Sequence, residues 1–144
     1  MRLFLLIPLL WACASDESDG QETGSATGCG DPVPHDVSVL FAVVDGQGNG
    51  VANLEVALVD RSWEPGTLGS GSTDGRGEGA LLAQSVTDLP NCWGTVLNYV
   101  MEVHDPTSYY APAEKPVNSY LYGAIEDGSF EADLTDFPIK VVPQ

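Results

Sequence analysis

Basic residues are scarce. The 144-residue chain carries five Lys and Arg against 21 Asp and Glu, a formal net charge of −16 at pH 7. So negative a surface repels phosphate backbones and anionic headgroups, which argues against nucleic-acid partners and against adsorption to membranes by charge. Histidine is rarer still. His35 and His104 are the two present, too few for a three-histidine metal centre. The three cysteines, Cys13, Cys29 and Cys92, show no C-x-x-C spacing, so no zinc site is expected. No G-x-S-x-G nucleophile elbow occurs. Long apolar runs are missing too: Leu3 to Ala12 falls well short of the roughly 20 residues that cross a bilayer. These absences lead us to expect no enzyme, no catalytic residue, no metal and no cofactor, and to read the acidity as solvated surface.

The first residues have an export pattern. Arg2 is the one charge ahead of the apolar run Leu3 to Ala12, and a polar, acidic stretch follows at once. The run ends Leu10-Trp11-Ala12-Cys13, which resembles the lipobox of bacterial lipoproteins: Leu three residues before the Cys, a small residue just before it, then the Cys. Trp11 departs from the modest residue usual at its position. The resemblance implies a signal peptide over 1–12, cleavage before Cys13, and a diacylglycerol on its sulfur that anchors the protein to a membrane. Two acyl chains hold firmly where one does not, at about 0.8 kcal/mol per buried methylene. An ordinary export signal cut near Ala12 or Ala14 is the alternative. Ala14 and Ser15 after the Cys fit sorting to the outer membrane, facing the periplasm or the exterior.

An odd cysteine count in an exported chain calls for an explanation. Lipid on Cys13 supplies one and leaves Cys29 and Cys92 to pair in an oxidising compartment. That bridge would close a loop of about sixty residues and contribute about 4 kcal/mol in the chain-entropy view.

Residues 13–28 comprise the lipidated Cys and a Ser-, Gly- and acid-rich stretch without a large apolar residue after Cys13. Such a segment cannot bury enough surface to offset its ordering entropy and reads as a disordered tether. The domain, 29–144, reads as β. Val37–Val44 is rich in β-branched residues. Asp45 to Gly50 is a turn cluster. Asn53–Asp60 alternates, with Leu54, Val56 and Leu58 on one face. Ser62–Gly71 reads as a loop, Gly79–Ala83 as a short strand, and Asp88–Gly94 as a loop in which Trp93 packs beside Cys92. Val96–His104 is the next strand, with Leu97, Tyr99, Met101 and Val103 turned to the core. Pro106–Pro116 reads as loop, Ser119–Ile125 and Ser129–Leu134 as weaker strands, and Phe137–Val142 as the last strand. No helical stripe stands out after residue 13. Short strands at intervals of roughly ten residues point to an all-β fold, a single Greek-key β-sandwich of about seven strands.

The order of features resembles the carboxypeptidase-regulatory-like and transthyretin-like sandwich group. A strand is followed by a D-x-x-G-x-x-V turn (Asp45 to Val51), a strand of the form A-x-V-x-L (here Leu54-Glu55-Val56-Ala57-Leu58), T-D-x-x-G (Thr73 to Gly77), and a strand ending near Tyr109-Tyr110. The resemblance implies a transthyretin-like or Ig-like sandwich. It does not carry over an activity. The closely spaced histidine pair of the iron dioxygenases with related folds is missing around His35, His104, Tyr109 and Tyr110, and the chain ends Val-Val-Pro-Gln, not Tyr-Arg-Gly-Ser.

Two local features bear on binding. Asp45-Gly46-Gln47-Gly48-Asn49-Gly50 has the start of a calcium loop, but position 12 is Val56 where a bidentate Glu belongs; a hairpin turn accounts for the glycines. Trp63, Tyr109 and Tyr110 fall in expected loops, where aromatics bind sugars or proteins. The expected role is thus a non-catalytic binding or scaffolding module for an unidentified protein or glycan. A carbohydrate-binding module and a small accessory or metal-dependent enzyme are the alternatives. If Cys29 and Cys92 are bridged, a thiol reagent should label neither in the unreduced mature protein and both after reduction; labelling without reduction would refute the pairing.

Overall fold

The computed structural model describes residues 33–62, 66–87 and 98–144. The expected signal, Cys13, the tether, Cys29, Trp63, Cys92 and Trp93 lie outside these residues.

Strand β1, Pro34–Val44, reads PHDVSVLFAVV. Its β-branched and aromatic residues favour extended backbone, and Val37, Val39, Phe41 and Val43 alternate onto one face, each 0% exposed. Full burial of such a side chain contributes about 1.5–3 kcal/mol, so this row is the spine of the core. On one edge β1 pairs antiparallel with β4 (Glu78–Thr87), Val39 opposite Leu81. On the other it pairs in parallel with β7 (Glu131–Asp133) and, further along, with β8 (Ile139–Lys140). The second sheet has the order β3 (Gly66–Ser72), β2 (Glu55–Asp60), β5 (Tyr99–His104), β6 (Ala113–Pro116), antiparallel throughout. Leu54, Val56 and Leu58 from one side, and Tyr99, Met101 and Val103 from the next, meet the β1 row in one cluster. The fold is therefore an all-β sandwich of two four-stranded sheets, with eight strands and not seven.

Each flank of the sandwich is closed differently, and both closures depart from the sequence reading. Along one flank β3 runs beside β4. Segment 66–71 was expected to be loop, because Gly-Thr-Leu-Gly-Ser-Gly has weak strand preference. It is strand because its glycines let two backbones touch. A Cβ on Gly69 would stand 2.1 Å from the Leu82 carbonyl oxygen, and one on Gly71 would stand 2.5 Å from that of Ala80. Gly79 on β4 is pressed the same way, against the Ser72 oxygen and the Phe41 ring. β3 thus covers the free edge of β4, which would otherwise be open to pairing with another chain.

Along the other flank a helix, α1 (Asn118–Glu126), links β6 to β7 and packs on β7 and β1. Ser119–Ile125 was expected to be a strand, from the alternation around Tyr120 and Tyr122. The burial has helical spacing: Val117, Leu121 and Ala124 all enter the core. Gly128, at φ 72, ends the helix, its N–H bonding Ile125 O at 3.2 Å. Residues 113–116, also expected to be loop, form β6 because β5 offers them a free edge.

Tyr99 ties the sheets together. Its hydroxyl accepts from Thr87 N at 3.0 Å and lies 2.9 Å from Thr87 Oγ1, so β5 is bonded directly to β4. Its own N–H donates to Asn118 Oδ1 at 2.7 Å, and its carbonyl accepts from Val117 N at 3.0 Å. Tyr122 meets the Tyr99 ring edge-on at 6.3 Å, but its buried hydroxyl has no hydrogen-bond partner among the described residues. Burial pushes that phenol's pKa well above its ordinary value. The two removals should therefore differ in sign. Tyr99→Phe strands the Thr87 donor and should cost about 1–3 kcal/mol, while Tyr122→Phe removes a desolvated group and should be neutral or stabilising by up to about 1 kcal/mol. Urea denaturation midpoints of the two variants check this; equal losses would refute it.

Candidate functional site

One end of the sandwich is built from three copies of the same turn. Each begins with an aspartate at the end of an extended segment: Asp45 after β1, Asp74 after β3 and Asp105 after β5. In each, the aspartate carbonyl accepts from the N–H three residues on: Gly48 at 3.1 Å, Gly77 at 3.0 Å and Ser108 at 2.9 Å. Each of those three residues has positive φ, 88°, 78° and 60°. The carboxylates accept from the N–H two residues on, Gln47, Arg76 and Thr107, at 2.8 Å each. They accept again four residues on, from Asn49 at 2.9 Å, Glu78 at 3.0 Å and Tyr109 at 3.0 Å. A short side chain bonding its own following backbone is why Asp opens such turns. The expected hairpin turn at Asp45–Gly50 is thus observed. Its carboxylate is occupied by Gln47, Asn49 and the Asn49 side chain.

Two of the turns lock against each other. Val43 N donates to Gly77 O at 2.8 Å and Val51 N to Val43 O at 3.0 Å. Gly50 lies so close to the Arg76 carbonyl that a Cβ would sit 1.8 Å from its oxygen. Gly50 is needed for this close approach and Gly77 for its left-handed φ as well.

The third turn carries the predicted aromatics. Asp105 is 6% exposed, and its carboxylate collects four bonds: Thr107 N and Oγ1 at 2.8 Å, Tyr109 N at 3.0 Å and Tyr110 N at 2.9 Å. The Tyr110 bond is the largest cause that holds its pKa below the usual carboxylate value. The loop is pinned from outside by the C-terminal residues, through Ala111 N to Val142 O and Gln144 N to Tyr109 O, both at 2.9 Å. Tyr109 emerges 60% exposed, with Tyr110 edge-on to it at 4.8 Å. Burial raises the Tyr110 pKa, helped by the nearby charges of Tyr109, Asp45 and Asp105. The structure therefore brings Tyr109 and Tyr110 together at a braced end. Trp63 lies outside the described residues.

A polar face that the sequence reading did not single out lies on the outer side of the second sheet. The Arg61 guanidinium bonds Glu102 on β5 and, at 2.7 Å, Glu114 on β6. Glu114 and Glu102 together hold it firmly protonated, and Arg61 lowers the Glu114 pKa. Beside this group a shallow hollow of about 530 Å³ is lined by Glu55, Ser70, Ser72, Glu102 and His104. Glu55 and His104 are cross-strand partners on neighbouring strands, a pairing invisible in a sequence that separates them by 49 positions. Among the described residues its lining includes no Trp, Tyr or Phe. Among the described residues no group of three or more His, Cys, Asp or Glu side chains could hold a metal ion, and no helix is long and apolar enough to cross a membrane.

Set against known proteins, the chain matches no protein-family model and no curated sequence.

Backbone N–H groups lower the pKa of Asp45, chiefly Asn49; of Asp74, chiefly Arg76; and of Asp105, chiefly Tyr110. A carboxylate whose folded pKa lies below its unfolded value stabilises the fold above that unfolded value, and the contribution vanishes as pH falls through the folded one. Stability should therefore be flat from neutral pH down to about pH 5 and fall below about pH 4, where free aspartate titrates. Asp105→Asn places an amide NH₂ against the Tyr109 and Tyr110 donors and should remove part of this acid dependence. Urea titrations at several pH values check it; an unchanged midpoint between neutral pH and pH 3 would refute it.

Proposed function

We propose that this chain is an exported lipoprotein, held to a bacterial membrane by lipid on Cys13, whose sandwich is a non-catalytic module engaging a protein or a glycan through the end that carries Tyr109 and Tyr110. The observation that carries the binding role is the state of Tyr109. It is a large aromatic left mostly in solvent, on a loop already fixed by Asp105 and by the C-terminal residues. A loop ordered before binding loses little entropy on binding. Amphipathic tyrosines make good contact anchors for the same reason of low rotamer cost. The anchor rests on Leu10-Trp11-Ala12-Cys13 and the acidic, Ser- and Gly-rich segment behind it.

The carboxypeptidase-regulatory-like and transthyretin-like group is the family reading we favour for the domain, on the strength of the Asp45 and Thr73-Asp74 turn motifs. A carbohydrate-binding module is the second reading, favoured by the exposed ring of Tyr109 as a stacking surface. Without a described Trp63 it rests on the tyrosine pair. Tyr109→Ala would weaken a glycan or protein ligand alike, by about 1–3 kcal/mol if the ring is an anchor.

The anchor is directly testable. In a bacterial host the wild-type chain should incorporate labelled palmitate and sediment with membranes, and Cys13→Ala should do neither. A Cys13→Ala chain that still sediments with membranes would overturn the lipoprotein reading.

A further inference from the structure

We propose that Asn49 is a site of spontaneous deamidation, that Asp45 restrains the reaction, and that its product loosens the crossing of the first two turns. Asn49 is exposed and is followed by Gly50, the residue that least hinders attack on the Asn side chain. In the reaction the Gly50 backbone nitrogen, after losing its proton to a solvent base, attacks Cγ of Asn49. The Cγ–Nδ2 bond breaks and ammonia leaves, forming a five-membered succinimide. Water then opens the ring at either carbonyl, giving aspartate or isoaspartate. The net change is one water consumed and one ammonia released, with no oxidant or reductant.

The nucleophile is available in the folded chain. Val44 and Gly50 are bridged through the bonds on either side of them, Asp45 N to Asn49 O at 2.9 Å and Val51 N to Val43 O at 3.0 Å. The Gly50 N–H therefore points away from β1, and no described group accepts it. Gly50 is exposed and stands at the one Asn-Gly step in the chain.

The restraint also comes from named atoms. Asp45 holds Asn49 by three bonds: Asn49 N to Oδ1 at 2.9 Å, Asn49 Nδ2 to Oδ2 at 3.2 Å, and the Asp45 N–H to Asn49 O. Ring closure must rotate the Asn49 side chain off Oδ2 and turn its carbonyl away from the Asp45 N–H. The consequence follows from the same contacts. An aspartate at position 49 sets a carboxylate against that of Asp45 where a donor stood, and like charges that close repel. An isoaspartate adds a methylene to the backbone immediately before Gly50, whose Cα is already pressed against the Arg76 carbonyl. Either product pushes the Asp45–Gly50 turn off the Asp74–Gly77 turn.

Incubating the folded mature chain in mildly alkaline buffer and mapping its peptides by mass spectrometry tests the proposal. The peptide holding residues 49 and 50 should gain the mass difference of OH for NH₂ over days, more slowly than in the same chain held unfolded in urea. Asp45→Ala should convert several-fold faster than wild type while still folded by circular dichroism, and Asn49→Gln should not convert. If the unfolded chain converts and the folded chain does not, the site is closed in the native state and the proposal fails. If Asp45→Ala converts no faster, the restraint is wrong. Purified aged protein that retains the urea midpoint of fresh protein would overturn the predicted loosening.

Discussion

The row Val37, Val39, Phe41 and Val43 is the constraint on which the molecule depends. Four fully buried side chains on one strand need two neighbours in the sheet and a second sheet across from them. β1 meets the first need with β4 on one edge and β7 and β8 on the other, so all the pairing in its sheet passes through it. It meets the second with the alternating faces of β2 and β5. Because side chains alternate with period two, a slip of one residue in β1 would turn the whole row to solvent. The register with β4 is accordingly continuous from Val37 to Ala42, the one irregularity lying before it, between His35 and Val37.

A sandwich leaves two flanks open, and this one closes them by opposite means. On the β3–β4 flank, side chains are removed: glycines let carbonyl oxygens rest on Cα atoms, a contact that recurs between strands and contributes modestly on its own. On the β6–β7 flank, side chains are added through α1. The end with Asp45, Asp74 and Asp105 satisfies its turning backbone with carboxylates, which makes it acidic and rigid together. Part of the chain's negative charge is thus not idle: it serves as hydrogen-bond acceptor for the chain's own loops.

Strands with strong alternation are legible in the amino-acid sequence. β1, β2 and the core face of β5 fall where their aliphatic periodicity places them, as do the turns at Asp45 and Asp74. Segments 66–71, 113–116 and 118–126 are not legible, for three different reasons. β3 is strand because of what lies beneath it, and glycine hides that by offering no periodicity of its own. β6 has no apolar alternation because as an edge strand it shares only one ladder. α1 is short, and the apolar positions 117, just before it, and 121 and 124 within it are interleaved with tyrosines that imitate the period of two. Tyr109 and Tyr110 can be picked out as loop aromatics. The Arg61–Glu102–Glu114 group cannot, since its members meet only through the pairing of β2, β5 and β6.

By itself the sequence determined the class of the fold, the β1 spine and the positions where aspartate and glycine force a turn, because each depends on residues near one another in the chain. The tertiary structure alone decided which turns touch, that Gly50 and Gly77 are needed where two backbones cross, that Asp105 is buried beneath Tyr109 and Tyr110, and that a helix seals one flank. These depend on residues tens of positions apart arriving within a few ångströms of each other, and periodicity along the chain carries no record of that.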